Sequence, residues 1–308
     1  MKTVVLLPCY NEEKTLSKVI DDFRRELPEA EIVVYDNNST DRSIEIAIQK
    51  NASLYREKRQ GKGNVVKAAF DTLEADIYVM VDSDDTYPAD KIHALMKPVV
   101  DEEADMVVGT RLESANDTNL RPLHQFGNRM ILTMLNWTFR THLKDILSGY
   151  RVMNKNFVKN IPLLSSGFEI ETELTLQALE KGMIVKELPI QYRERPVGSV
   201  SKLRSFRDGS RIIWTIFSLL QDYRPMTFFT YLASFFWVLG LIAGGIVIKD
   251  YLDNGLIEKI PTAILATLLI TIGLITFISG LIVSTVNRRF LELNVLMDRK
   301  IRSTNLKK

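Results

Sequence analysis

Apolar and polar positions follow two different spacings along the first third of the chain. Short apolar runs rich in β-branched residues lie at 3–7, 31–35, 77–81 and 105–108, and segments with helical spacing of apolar positions separate them at 13–26, 41–49, 62–74 and 90–100. Runs this short suit buried strands, and the longer segments suit amphipathic helices. Strands alternating with helices predict an α/β fold, a mostly parallel sheet covered on both faces. In such sheets ligands sit beyond the carboxyl ends of the strands. Residues 111–192 are less regular, with an apolar helical stretch around 129–139, the segment Lys144-Asp-Ile-Leu-Ser-Gly-Tyr-Arg151 and a helix at 170–180. They show neither an internal repeat nor a low-complexity linker.

The last hundred residues change character. Between 205 and 223, Phe206, Ile212, Ile213, Ile216, Phe217, Leu219 and Leu220 recur near helical spacing against Arg204, Arg207 and Arg211. That pattern fits a helix lying in the headgroup layer of a bilayer, and it also fits a core helix of the preceding domain. Residues 228–248 and 260–286 carry no charge. About twenty residues at roughly 1.5 Å each cross a hydrocarbon layer of about 30 Å, so both runs are expected to span a membrane as a hairpin. The connecting loop, 249–259, holds two positive and three negative residues, whereas Arg288 and Arg289 follow the second run. Positive residues favour the cytoplasmic side, which predicts a multi-pass protein of the cell membrane with both termini inside. The apolar N-terminus is cut by Pro8 and followed by Asn11-Glu12-Glu13, so it reads as a first strand and not as a secretion signal. The expected division is 1–200 for the α/β domain, 201–225 for the juxtamembrane segment, 226–289 for the hairpin and 290–308 for a basic cytoplasmic tail.

Composition narrows the chemistry. Charged residues make up 25% of the 308, yet the formal net charge is only +2. A phosphate-tracking surface announces itself by a strong basic excess, so nucleic acid is not the expected partner. The single cysteine, Cys9, excludes an internal disulfide framework.

Three predicted strands end in polar residues: Pro8-Cys-Tyr-Asn-Glu12, Asp36-Asn-Asn-Ser-Thr-Asp41 and Asp82-Ser-Asp-Asp-Thr-Tyr-Pro88. In the last of these, three carboxylates within four residues are expected to face one another. Crowded like charges are costly unless a cation neutralises them, and hard oxygen ligands suit Mg²⁺ or Mn²⁺ completed by phosphate oxygens. The same residues also fit an acidic turn capping the next helix.

Six motifs in order, Leu7-Pro-Cys-Tyr-Asn-Glu12, Tyr35-Asp-Asn-Asn-Ser-Thr-Asp41, Gly61-Lys-Gly63, Asp82-Ser-Asp84, Ser148-Gly-Tyr-Arg151 and Ser201-Lys-Leu203, resemble the family 2 glycosyltransferases of GT-A (Rossmann-like) fold. Within them the chain is most similar to the polyprenyl-phosphate group of dolichyl-phosphate mannose synthases and GtrB-like enzymes. The resemblance implies that Pro8, Tyr10 and Glu12 contact the nucleoside, Asp36 reads the base and Lys62 lies near the diphosphate. Asp82 and Asp84 would bridge the metal, with Ser83 between them on the donor side. Arg111, Arg129 and Arg151 would line the acceptor phosphate, and Glu173, Arg195, Ser201 and Lys202 match lid-like elements around it. Asn37 and Asn38 depart from the family's acidic residue and Gly, and Thr86 from a metal-proximal Gln. Gln221-Asp-Tyr-Arg224 lacks the Trp of the processive synthases' signature.

The implied reaction is inverting transfer of a sugar from a nucleotide donor, UDP-linked glucose or N-acetylglucosamine before GDP-mannose, to a polyprenyl phosphate at the membrane face. A homo-oligomer, a tetramer by the same resemblance, is the implied assembly. A phosphomonoester is already anionic near pH 7, so no strong base is required. Asp145 is open to two roles, a base or a partner orienting an arginine. A hydroxyl acceptor would make Asp145 or Glu173 indispensable as base, and a non-catalytic membrane scaffold is the remaining alternative.

Overall fold

The computed structural model describes residues 1–111, 132–133, 136, 141–167, 169–193, 221, 225–256 and 259–305, with backbone alone at 254 and 291–305. Two compact units divide the chain, Met1–Ser210 and Arg211–Lys308.

Among the described residues, the first unit is built on one seven-stranded sheet. Its elements in chain order are β1 (Thr3–Cys9), α1 (Leu16–Glu26), β2 (Glu31–Asp36), α2 (Ser43–Gln49), β3 (Ser53–Arg56), α3 (Lys62–Thr72), β4 (Ile77–Met80), α4 (Ile92–Val100), β5 (Met106–Thr110), β6 (Arg151–Asn154), α5 (Lys155–Asn160), α6 (Ile170–Glu180) and β7 (Val185–Pro189). The strand order is β3-β2-β1-β4-β6-β5-β7. β1 pairs in parallel with both β2 and β4, so the chain winds outward from β1 in one direction and returns to its other side. β6 is antiparallel to β4 and β5, which brings the loop before Arg151 to the same rim as the carboxyl ends of β1, β2, β4 and β5.

Strand alternation sorts the core into two layers. Val5, Leu7 and Val79 face a cluster with Leu16, Ile20 and Phe23 of α1 and Leu95 of α4. Val4, Leu6, Tyr78 and Met80 face the other, with Val66 and Phe70 of α3, Phe157 of α5 and Leu174 of α6. The sheet is thus covered on both faces, and successive residues of each inner strand are buried for that reason.

Four expected strands are present with ends shifted by one or two residues, and three more, β3, β6 and β7, complete the sheet. The first helix begins at Leu16, not at residue 13. Asn11 takes φ 55°, and the Glu12 carbonyl accepts from the Thr15 and Leu16 amides, so residues 12–15 form a turn that belongs to the rim.

The second unit contains α7 (Pro225–Asn254) and α8 (Ile260–Asn305). Pro225–Asp253 and Ile260–Phe290 are long and apolar enough to cross a membrane, and only 17% of each one's most apolar stretch is buried, unlike the core helix of a globular domain. Glycines let the two helices approach closely. A Cβ on Gly273 would lie 2.4 Å from Trp237 Cδ1, and one on Gly280 2.5 Å from Phe229 Cβ, the small-residue contact typical of helices in lipid. Apart from residues 221 and 225, the expected juxtamembrane segment lies outside the described residues.

Candidate active site

The loops after β1 and β2 are laced into one wall. Asn37 donates its amide to the Cys9 carbonyl, the Asn11 amide donates to Ser39 Oγ at 3.0 Å, and the Glu12 amide donates to Ser43 Oγ at 2.9 Å. Pro8 is part of β1 itself, opposite Tyr35, and Tyr10 lies partly exposed just past the strand end. Asp36 is 1% exposed; its Oδ1 accepts from the Ser39 amide, while its buried Oδ2 has no hydrogen bond and lies 3.4 Å from Arg56 Nε. Cys9 is buried beside Asp36, and burial pushes its thiol up to about 12, which removes it as a nucleophile.

The two asparagines that depart from the family pattern have structural work. Asn37 Nδ2 donates to the Glu57 and Arg59 carbonyls, and its Oδ1 accepts from the Gly61 amide at 2.7 Å. Asn38 sits at φ 64° and donates to the Lys58 carbonyl. A left-handed position favours Gly, and Asn is among the few residues that tolerate it. Together they fix the 57–61 loop that delivers Lys62.

Gly61 and Gly63 are required by close approach. A Cβ on either would lie 2.1 Å from a carbonyl oxygen, of Ser166 and Ser165 respectively. The Lys62 ammonium donates to both Asp82 and Glu171, and its side chain is 9% exposed. Burial alone would depress this ammonium, but Asp82 and Glu171 outweigh that effect and hold it above its usual range.

The acidic stretch after β4 does not converge as expected. Asp82 turns to Lys62, with Oδ2 so close to Gly149 that a Cβ there would lie 2.6 Å away. Asp84, 4% exposed, accepts from Thr86 Oγ1, and Asp85, at φ 59°, pairs with Lys18. Three separate partners therefore replace a three-carboxylate cluster. Ser83 is likewise corrected: 2% exposed, its hydroxyl donates to the Pro8 carbonyl, and its own carbonyl accepts from Thr15. Its side chain ties β4 to β1.

Arg111 and Asp145 form a two-pronged pair, Nε to Oδ2 at 2.8 Å and Nη2 to Oδ1 at 2.9 Å, with the guanidinium 5.7 Å from the Tyr192 ring centre. Burial favours the protonated carboxyl of Asp145, but the Arg111 guanidinium and backbone amides overcome it and hold the group below the usual carboxylate range. Asp145 also accepts from the Leu147 amide, so of its two open roles the structure fits the orienting one.

Arg151 is a correction. It is 0% exposed, with donors taken by the Ile146 and Ser148 carbonyls and by Thr175 Oγ1. Burial lowers it to about 10, so it stays charged at neutral pH, with its donors turned to the 146–148 loop and α6. It fixes the 146–148 loop to α6. Glu173 is also structural, each oxygen accepting one backbone amide, from Leu164 and Ser165. Tyr150 packs against Phe23 and Tyr87, as expected of a core ring. Arg129, Arg195, Ser201 and Lys202 lie outside the described residues. Glu171, 5% exposed and bound to Lys62, escaped the sequence reading because its neighbour Glu173 carries the same charge two positions later.

A family model described as glycosyl transferase family 2 matches residues 4–161. The chain belongs to that family. Among curated relatives, this family 2 glycosyltransferase is 32% identical over 226 residues to glycosyltransferase AglJ of Haloferax volcanii, covering 73% of this chain and 74% of the relative. It is 28% identical over 208 residues to the dolichyl-phosphate hexose transferase of the same organism, covering 68% and 89%. Among solved structures it is similar to glucosyl-3-phosphoglycerate synthase from Mycobacterium tuberculosis in complex with Mn²⁺, UDP-glucose and phosphoglyceric acid. That match has a TM-score of 0.58 at 20% identity and covers 70% of this chain and 79% of the other, a likeness of the GT-A fold.

Among the described residues of this glycosyltransferase, no three His, Cys, Asp or Glu side chains are grouped to hold a metal. A hard cation that keeps diphosphate oxygens and waters needs only one or two carboxylates. Asp82, partly exposed, and Asp84, two residues on, fit that requirement by donor chemistry.

Proposed function

We propose that the chain transfers a hexose from a nucleotide sugar to a polyprenyl phosphate at the cytoplasmic face of a membrane, with inversion in a single displacement. UDP-linked glucose or N-acetylglucosamine is the favoured donor, ahead of GDP-mannose. The dolichyl-phosphate acceptor in a relative's name and the two apolar helices of this chain support a lipid acceptor. One observation carries the choice of a phosphate over a hydroxyl nucleophile. Both carboxylates singled out as a base are committed elsewhere, Asp145 to Arg111 and Glu173 to loop amides. An acceptor that arrives already anionic needs no such base.

In this reading Asp36 and the β1 loop hold the nucleoside, and Lys62 faces the diphosphate. Asp82 and Asp84 would hold Mg²⁺ or Mn²⁺, which as a Lewis acid supplies charge stabilisation worth several kcal/mol to a departing diphosphate. Arg111, fixed through Nε and Nη2 by Asp145 and still 31% exposed, presents its remaining N–H groups to the acceptor phosphate. Both termini lie on the cytoplasmic side, following the positive residues after the second span.

The test incubates membranes carrying the protein with labelled nucleotide sugars and polyprenyl phosphate. A lipid-extractable monosaccharide product is expected, and Asp84→Asn abolishes it while membrane insertion persists. Label transferred only to hydroxyl acceptors would overturn the reading.

A further inference from the structure

A buried ammonium needs one carboxylate for neutrality, and Lys62 has two. Among the described residues it makes an ion-paired group with Asp82 and Glu171, two carboxylates to one ammonium, and the buried Arg151 feels the Glu171 charge as well. Glu171 and Asp84 are both nearly inaccessible to water, where surplus charge is expensive. A divalent cation at Asp82 and Asp84 adds positive charge beside Lys62, and Glu171 is the carboxylate left to hold the ammonium.

We propose that Glu171 is a positioning residue that retains Lys62 while the divalent ion takes Asp82, so that both cations face the donor diphosphate. This rests on the metal-site reading above. The geometry suits a holding role. Glu171 lies in the first turn of α6, and Thr175 Oγ1, one turn later, accepts from Arg151 and donates to the Glu171 carbonyl at 3.2 Å. Arg151 thereby anchors this turn of α6 to the 146–148 loop, whose neighbour Gly149 abuts Asp82. On the other side, the Gly63 amide donates to the Ser166 and Gly167 carbonyls, so the backbone around Lys62 is held as well. Removing Glu171 leaves Asp82 as the remaining ion-pair partner of Lys62 among the described residues, and Lys62 then competes with the metal.

The experiment measures Mn²⁺ affinity of the full chain in detergent, with and without UDP, from the spin-resonance signal of free Mn²⁺. Glu171→Gln is expected to weaken binding by roughly tenfold, and Glu171→Asp by less. Lys62→Met combined with Glu171→Gln restores affinity to within about threefold of the unsubstituted chain, because the competitor is gone. Thermal unfolding of each variant confirms that it is folded. Unchanged affinity in Glu171→Gln, or a loss that persists in the double variant, would overturn the inference alone. Absence of Mn²⁺ binding by the unsubstituted chain even with UDP would overturn the metal-site reading and this inference with it.

Discussion

Lys62 and Arg151 are both buried cations, and their partners give them opposite roles. Lys62 is held by two carboxylates at the rim, whereas the Arg151 guanidinium is spent on carbonyls and a hydroxyl beneath it. Arg111 shows a third case, a cation fixed by one carboxylate yet partly open to solvent. The Arg111–Asp145 pair makes a pH-dependent prediction. Asp145 is held below its ordinary value of 3.8, so its stabilising contribution is complete above that value and is lost as pH falls through the lower folded-state value. In denaturant titrations between pH 3 and pH 7, Asp145→Asn should therefore be least stable relative to the native chain at pH 7, with the gap narrowing toward pH 3. A gap of constant size would show that the carboxylate charge is not what matters. Residue types at this rim were legible in the sequence, since Asp36, Lys62, Asp82 and Asp84 stand at motif positions. Their partners were not. Nothing in the order Glu171-Thr-Glu173 tells which carboxylate meets Lys62 and which caps a loop, because that follows from how α6 docks.

Elements were readable where burial on both faces left an apolar run, as in β1, β2 and β4. The remaining strands hide for physical reasons. β3, Ser-Leu-Tyr-Arg, lies at an edge and is half exposed; β6 begins with a charged residue; β7 sets Lys186 and Glu187 side by side between Val185 and Leu188. The β3–α3 connection shows how a loop can be specified by side chains remote in sequence. Asn37 is 4% exposed and holds two carbonyls and one amide of residues 57–61. Asn37→Ala leaves those backbone groups unpaired, at a cost of about 1–3 kcal/mol. It should also raise KM for the nucleotide sugar, because the same loop delivers Lys62, and calorimetry with donor kinetics reads both effects. Asn38→Gly, by contrast, keeps the left-handed backbone and should cost less than Asn37→Ala. Equal losses at the two positions would mean that backbone conformation does not distinguish them.

At the scale of the molecule, the proposed donor-side residues and the apolar helices belong to different units. The proposed donor-side residues, Asp36, Lys62, Asp82 and Asp84, all lie in Met1–Ser210, and both apolar helices lie in Arg211–Lys308. A nucleotide sugar is soluble and reaches the first unit by diffusion, but a polyprenyl phosphate is confined to a bilayer. An anchored catalyst meets it at an effective concentration that a free one does not have. This separation predicts that the two halves of the reaction respond differently to loss of the hairpin. A chain ending near residue 210 should bind UDP with Mn²⁺ about as well as the full chain, since no donor-side residue is removed. Its transfer to polyprenyl phosphate in vesicles should fall by on the order of a hundredfold, as expected when an intramolecular encounter becomes a bimolecular one. Detergent-dispersed acceptor at high concentration should recover part of that rate. Equilibrium UDP binding measured beside transfer in vesicles separates the outcomes: loss of both would place donor binding under the control of the helices, and loss of neither would leave the apolar pair without a part in acceptor delivery.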